Sequence, residues 1–157
     1  MQQQVTDAAI DWRLARYDDL TRDELYAALR ARVDVFVVEQ QCPYEELDGQ
    51  DERALHLFGH APEGTLLAYA RILPPGIRFG EPSIGRVLTT RAGRGQRLGR
   101  PLMRRAIEVC RKHWPERPIR ISAQVQLAGF YGSLGFEVKS EPYDDAGIMH
   151  LDMALHD

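Results

Sequence analysis

The spacing of apolar residues changes along the chain, and each change predicts a new element of secondary structure. Residues 10–17 alternate apolar and polar side chains, which is typical of a strand with one buried face. Thr21 with Glu24 three residues later forms a capping-box pattern, so a helix is expected to start there. Residues 35–38 are apolar throughout, and this run predicts a buried segment.

The rest of the chain predicts an alternation of strands and helices. Residues 55–60 and 65–73 are two strands by composition, and the short Pro-Glu-Gly connection between them predicts a hairpin. Residues 84–110 combine a strand, a glycine-rich basic turn and a long amphipathic helix. A strand, a short helix and two more strands are predicted after it, at residues 118–123, 125–132, 135–138 and 147–155.

The turn inside residues 84–110 carries glycine and arginine together. Gly93 and Gly95 permit positive φ or a close backbone approach. A helix N-terminus presents unpaired N–H groups and the positive end of the helix dipole, so such a turn can hold a phosphate. Three basic side chains add to this charge, namely Arg91, Arg94 and Arg97. An ordinary β–α turn with a solvated basic rim explains the glycines equally well.

The glycine spacing excludes two kinds of nucleotide site. Gly93, Gly95 and Gly99 run one residue longer than the dinucleotide pattern G-x-G-x-x-G. No acidic residue closes the next predicted strand, where a ribose contact would be expected. No Gly-Lys-Ser/Thr follows, so the turn is not a triphosphate-binding loop either.

Composition narrows the class of protein further. The length of 157 residues, with 27% charged and 44% hydrophobic residues, predicts a single domain over 1–157, with residues 1–9 as a loose tail. The net charge of −3 argues against a nucleic-acid partner. No apolar run suits a membrane span or an export signal, so we expect a cytoplasmic protein without a membrane partner. No grouping of residues has metal-ligand spacing, so no metal is predicted, and Cys42 lacks an identifiable base that would make it a nucleophile.

Two stretches of the chain resemble a known family. The first, Arg94-Gly95-Gln96-Arg97-Leu98-Gly99, resembles the pyrophosphate-binding motif Gln/Arg-x-x-Gly/Ala-x-Gly/Ala of the GNAT superfamily of N-acetyltransferases, with Arg97 at a position that usually holds a small residue. The second resembles the ElaA-like branch of that superfamily over Arg32-x-x-Val35-Phe36-Val37-Val38-Glu39-Gln40, Cys42-Pro43-Tyr44, Asp48, Asp51 and His56-Leu57.

The C-terminal part resembles the same family. Gln124, Tyr131 and Gly135-Phe136 match a motif in which an amide residue precedes a tyrosine by seven. The ending is similar to the ElaA-like pattern Asp-Gly-Ile-Pro-His-x-x-Met, read here as Asp145, Gly147, Ile148, His150 and Met153. Ala146 is inserted in this pattern, and Met149 replaces the proline.

The resemblance implies a fold and a cofactor site. The fold is a mixed α/β (α+β) sheet of six or seven strands with helices on both faces, in which the strands carrying Val87 and Ser122 splay apart. Acetyl-CoA would enter the gap as the acyl-donor cosubstrate. The residues implied to bind it are Val87, Leu88, Thr89, Arg94, Gly95, Gln96, Arg97, Leu98, Gly99, Arg100, Gln124 and Tyr131.

The resemblance also implies a reaction, in which a neutral primary amine attacks the thioester directly. Tyr131 would protonate the leaving thiolate, although a packing role for its ring is the alternative. Glu39 or His56 would deprotonate the amine, and His150 stands evenly between a catalytic and a structural role. The acceptor would be a small molecule or a protein lysine, and a homodimer is possible.

Residues 39–52 are rich in acids, which makes this stretch either a solvated loop or an attractor of a cationic acceptor near the active site. Two other functions stay open at this point. The chain loosely resembles acyl-homoserine-lactone synthases through Phe36, Glu39, Asp48 and Asp51. It could also be a non-catalytic acyl-CoA-binding sensor module.

Overall fold

One open mixed sheet forms the centre of the protein, as seen in a computed structural model that describes residues 9–41 and 45–156. Its order is β1-β2-β3-β4-β5-β8-β6, with β7 paired to β8 off this path. The β4–β5 pair is parallel, and the other pairs are antiparallel. The strands are β1 Asp11–Arg16, β2 Leu55–His60, β3 Leu66–Leu73, β4 Ser83–Thr89, β5 Ile119–Gln124, β6 Glu137–Val138, β7 Tyr143–Asp145 and β8 Ile148–Leu155.

Within residues 9–41 and 45–156, three α-helices pack on this sheet, α1 Arg22–Arg32, α2 Gly99–His113 and α3 Ala128–Ser133. A π-helical segment, Val33–Glu39, continues α1, and short 3₁₀ turns occupy Tyr17–Asp19, Asp51–Arg53, Arg91–Gly93 and Val125–Leu127. The predicted capping box at Thr21 is confirmed, because its side chain accepts from the Glu24 N–H while the Glu24 side chain accepts from the Thr21 N–H. No helix in the described ranges has the length and apolar content that crossing a membrane requires.

The predicted helices on both faces are confirmed by the packing of alternate strand residues. Leu57 belongs to a core with Leu102 and Met103 of α2, whereas the next residue, Phe58, belongs to a second core with Ala28 of α1. Successive side chains of a strand point to opposite faces of a sheet. Helices α1 and α2 therefore cover opposite faces of the sheet.

The predicted splay between two central strands is also confirmed. Strands β4 and β5 pair only at Ser83 and Arg120. The β3–β4 register shifts between Tyr69 and Arg71, and Arg86 has a φ of 49°. A left-handed conformation costs a non-glycine residue roughly 1–2 kcal/mol, so the bulge needs support from its surroundings. Beyond the bulge β4 leaves β5, and a gap opens between them.

Two features differ from the sequence-based predictions. The sheet has eight strands within the described residues rather than six or seven, because the three residues of β7, two of them aspartates, give no strand signal. The prediction that residues 35–38 form a buried segment is wrong, because Val38 is 62% exposed. These residues are π-helical, so their side chains point in several directions and only some reach the core. The predicted tail at residues 1–9 lies outside the described residues except for its last member, and so does Cys42.

Candidate active site

A cavity of about 450 Å³ occupies the gap between β4 and β5. Val87 of β4 and Ser122 of β5 form its two sides, while Tyr131 of α3 and His150 of β8 also line it. Since β4 does not pair with β5 past Ser83, the β4 backbone edge beside the cavity has no strand partner there. On its other edge β4 stays paired, with Leu88 opposite Tyr69 and Thr89 opposite Ala68 of β3.

The glycine-rich turn after β4 leads into the N-terminus of α2. Gly93 is required by a close approach, because a Cβ there would lie 2.3 Å from the carbonyl oxygen of Leu67. Gly95 and Arg97 both have positive φ, 77° and 56°. The N-cap residue, Leu98, gives no side-chain hydrogen bond to the first turn of the helix. The free N–H groups of that turn can therefore bind an anion.

The polar side chains predicted for phosphate binding point in different directions. Arg94 Nη2 donates to Glu39 Oε2 at 2.5 Å, and Arg91 Nε lies 3.8 Å from the same carboxylate. Arg100 instead donates to Ser133 Oγ at 2.8 Å, and Gln96 donates to the Ala92 carbonyl at 2.8 Å. The structure thus brings Arg91 and Arg94 together beside the turn, whereas it turns Arg100 towards α3.

Tyr131 lies in the cavity wall with a buried ring. Its ring packs against Phe130 and Phe136, with centroids 5.2 and 6.0 Å away. Its hydroxyl has no protein hydrogen-bond partner within the described ranges. Burial raises the pKa of Tyr131 to about 12. The phenol is therefore fully protonated at neutral pH and has a proton to donate.

His150 also lines the cavity and is held in one orientation. Its Nδ1 lies 2.8 Å from the Ile148 carbonyl oxygen, which can only accept, so Nδ1 carries the hydrogen. In the neutral ring Nε2 then carries a lone pair. The Tyr143 ring stacks on the imidazole at a centroid distance of 6.2 Å. His150 is thus a buried side chain with a fixed tautomer at the cavity.

Tyr143 belongs to a hydrogen-bonded chain that reaches the cavity. Its hydroxyl donates to Asp152 Oδ1 at 2.7 Å, and Arg120 donates to Asp152 Oδ2 at 2.9 Å. Ser122 Oγ also contacts the Tyr143 hydroxyl, and because that hydroxyl donates to Asp152, Ser122 is the donor in this contact. The chain fixes the Tyr143 ring under His150. Gln124, at the end of β5, is in the cavity wall too and hydrogen-bonds with Gln40 and Gln126.

The two other predicted bases have different surroundings. His56 is only 1% exposed and is not part of the cavity wall. Its Nε2 donates to the Asp51 carbonyl at 2.9 Å, and its Nδ1 accepts from the Tyr69 hydroxyl at 2.7 Å. Burial lowers the pKa of His56 and favours the neutral ring. Both ring nitrogens are therefore occupied, and the Glu39 carboxylate is occupied by Arg94.

A buried network of arginines and carboxylates forms one end of the cavity, and we call it the charge network. Its members are Arg32, Glu46, Asp48, Asp51, Arg71 and Arg86. Arg32 donates to Asp51 at 2.7 Å and to Glu46 at 3.2 Å. Arg71 donates to both Asp48 oxygens at 2.9 and 2.8 Å and to Asp51 at 3.2 Å. Arg86 Nε lies 2.6 Å from Glu46 Oε2.

The charge network corrects one interpretation of the acidic stretch. Glu46 and Asp51 are buried and Asp48 is half-buried, and three arginines neutralise these three carboxylates. Burial raises the pKa of Asp48, but hydrogen bonds and charge from Arg71 outweigh it and lower the pKa to about 2. These acids therefore contribute no net negative charge towards an acceptor. Sequence reasoning missed Arg71, although an arginine inside the apolar strand β3, LLAYARIL, was a usable signal of a buried ion pair.

No group of three histidine, cysteine or acidic side chains in the part of the chain that the structure describes could hold a metal ion.

The fold, an open mixed sheet with two splayed strands, is that of an acyl-CoA N-acyltransferase. A family model described as "Acetyltransferase (GNAT) domain" matches residues 18–156. Protein ElaA of Escherichia coli K12 is 41% identical over 147 residues, which covers 92% of this chain and 95% of ElaA. The chain therefore belongs to the GNAT superfamily, in its ElaA-like branch.

Solved structures agree with this assignment. An acyl-CoA N-acyltransferase from Pseudomonas aeruginosa is 43% identical with a TM-score of 0.87, and the match covers 93% of this chain and 99% of that one. The crystal structure of Escherichia coli ElaA matches with a TM-score of 0.86, and the match covers 94% of this chain and 99% of that one. The acyl-homoserine lactone synthase BjaI matches with a TM-score of 0.76 over 94% of this chain and 83% of that one. Its sequence is only 16% identical, so this likeness concerns the fold alone.

Proposed function

We propose that this protein transfers an acetyl group from acetyl-CoA to a primary amine by direct attack of the amine on the thioester. The observation that carries the proposal is the gap between β4 and β5, which has Tyr131 in its wall and lies beside the turn into α2. A cytoplasmic location and a homodimer stay predictions from the sequence.

The cofactor side of the proposal rests on the turn and the open strand edge. The pyrophosphate binds at residues 94–99, where the N–H groups of the first α2 turn and Arg94 supply positive charge. A phosphate there competes with Glu39 for the Arg94 guanidinium. The pantetheine amides pair with the β4 backbone at Val87 to Thr89, along the edge that β5 has left.

Tyr131 acts on the leaving group in this proposal. With a phenol pKa of about 12 and a thiol pKa near 8.5, complete proton transfer to the thiolate is uphill by roughly 5 kcal/mol. Tyr131 therefore acts mainly by donating a hydrogen bond that strengthens as charge develops on sulfur, and the proton follows as the thiolate leaves. Backbone N–H groups on the open β4 edge stabilise the oxyanion of the tetrahedral intermediate.

We assign the deprotonation of the attacking amine to His150 rather than to His56 or Glu39. The assignment is supported by the position of His150 in the cavity wall and by its Nδ1 hydrogen bond to Ile148, which leaves the Nε2 lone pair available. Both nitrogens of His56 are occupied by protein groups. Glu39 neutralises Arg94 beside the phosphate-binding turn. A His150→Gln variant should lower kcat with little change in acetyl-CoA affinity, whereas a merely structural role would leave kcat near the wild-type value in a folded variant.

An acceptor screen tests the proposed function. The protein is incubated with acetyl-CoA and a panel of primary amines while free thiol is measured, and the Tyr131→Phe variant serves as a control. We expect thiol release that depends on the amine. Binding of acetyl-CoA without thiol release from any amine would indicate a sensor module instead. Release with S-adenosylmethionine and a longer acyl-CoA would indicate a homoserine-lactone-synthase-like activity.

A further inference from the structure

The charged groups in the cavity wall do not all pair with one another. Arg71 and Arg86 are balanced by Asp48 and Glu46 of the charge network. Arg78 lines the same cavity but has no carboxylate within ion-pair distance among residues 9–41 and 45–156. Arg78 is exposed at this wall, and its guanidinium can bind an anionic group, since its planar donors match a carboxylate.

The segment that carries Arg78 is anchored, so its cation is positioned before any ligand binds. Residues 74–82 connect β3 to β4, and Gly76 N–H donates to the Phe79 carbonyl at 2.8 Å. The Phe79 ring lies 5.3 Å from the Arg78 guanidinium carbon and 5.2 Å from that of Arg120. Arg117 donates to the Gly80 carbonyl at 2.9 Å. A cation held over an aromatic ring loses less rotamer entropy when it binds an anion.

Arg78 and His150 of the proposed reaction centre line the same cavity. Burial raises the pKa of Tyr143, and the charge of Arg78 has a smaller, opposing effect on it. Tyr143 stacks on His150, to which we assigned the deprotonation of the amine. One acceptor molecule can therefore present its amine to His150 and an anionic group to Arg78. A cavity of about 450 Å³ suits a small molecule of this kind.

Other charges in the wall decide between an anion and a zwitterion. Glu45 also lines the cavity, and its carboxylate disfavours an acceptor that is only anionic. It favours a molecule that carries a positive group next to its carboxylate.

We propose that the acceptor is an amino acid or a similar small amine with a carboxylate, and that Arg78 binds this carboxylate. The inference rests on the proposed acetyl transfer and names its substrate class. It narrows the sequence-based expectation of a cationic acceptor, because three of the acids behind that expectation, Glu46, Asp48 and Asp51, are neutralised in the charge network. Arg78 is a specificity-determining residue here and takes no part in the chemistry.

Matched acceptors test this inference. Each of several L-amino acids is compared with its amide and with the amine that lacks the carboxyl group, and kcat/KM is measured by thiol release. We expect the wild type to prefer the acid over the amide by about tenfold or more, as one charge-assisted contact implies. Arg78→Gln should remove this preference through KM of the acid, with kinetics for the amides unchanged, and Arg78→Lys should restore part of it.

A matched control removes one arginine charge at a site away from the cavity. Arg30→Gln, on the exposed face of α1, removes the same charge away from the cavity and should keep the preference. Equal kinetics of acids and amides in the wild type, or equal losses for both in Arg78→Gln, would overturn the inference and leave the proposed acetyl transfer standing. Thiol release with none of the three series would instead overturn the proposed function, and this inference with it.

Discussion

Replacing Asp51 with asparagine should destabilise the protein strongly, because Asp51 joins the two most buried arginines. Its Oδ1 accepts from Arg32 at 2.7 Å and from Arg71 at 3.2 Å, and these arginines are 0% and 2% exposed. Asparagine keeps the shape of the side chain but removes the negative charge. The charge network then holds one excess positive charge away from water.

The expected loss follows from that uncompensated charge. Removing one partner of a buried ion pair typically costs about 3–5 kcal/mol, against a total stability of roughly 5–15 kcal/mol. For a domain of this size each kcal/mol lowers Tm by roughly 2–4 °C, so Tm should fall by roughly 6–20 °C.

Urea denaturation followed by circular dichroism measures the free energy of unfolding. Asp18→Asn is the matched control, since Asp18 is an exposed acid in a short 3₁₀ turn and should change stability by less than about 0.5 kcal/mol. A loss below about 1 kcal/mol in Asp51→Asn, with an unchanged m-value, would refute the reasoning. It would mean that the arginines find other acceptors or water at no large cost.

Four further predictions concern the turn, the proposed general acid and the charge network. Arg94→Glu should weaken acetyl-CoA binding more than tenfold in calorimetry, while Arg22→Glu, which makes the same charge change on the exposed start of α1, should not. Tyr131→Phe should lower kcat by roughly 10²-fold with little change in acetyl-CoA affinity, and loss of affinity would place its hydroxyl in cofactor binding instead. Because Arg97 has a φ of 56°, Arg97→Gly should be at least as stable as the wild type in calorimetry, whereas Arg97→Val should lose about 1 kcal/mol or more. The folded pKa of Asp48, about 2, lies below its unfolded value, so its stabilisation of about 2 kcal/mol is present above about pH 4 and lost as pH falls towards 2; Asp48→Asn should remove this part of the pH dependence of stability.

Local patterns predicted the framework of the fold well. The capping box at Thr21 and the hairpin of β2 and β3 depend on residues close in sequence, and both are confirmed. The splay of β4 from β5 was expected from the family resemblance and is confirmed by the single pair at Ser83 and Arg120. The short β7 was missed, because a strand of three residues is defined by its partner β8 rather than by its own sequence.

The candidate site depends on contacts that local patterns do not record. Arg71 meets Asp48 and Asp51, which lie 23 and 20 residues before it, so the acidic stretch was interpreted without its partners. Histidine tautomers also cannot be predicted from local sequence. Only the fold shows that His150 donates to Ile148 and that both nitrogens of His56 are occupied. The family motif marked Arg97 as unusual, and its positive φ supplies the physical reason why a small residue is preferred there.

The most direct test of the central claim is a single-turnover reaction that measures both products. Excess protein is mixed with acetyl-CoA carrying an isotope-labelled acetyl group and with the best acceptor from the screen, and free thiol and labelled amide are quantified over time. Acetyl transfer predicts that the two appear together at the same rate and in equal amounts, and that Tyr131→Phe slows both equally. Thiol without labelled amide, or bound acetyl-CoA that yields neither product, would contradict it.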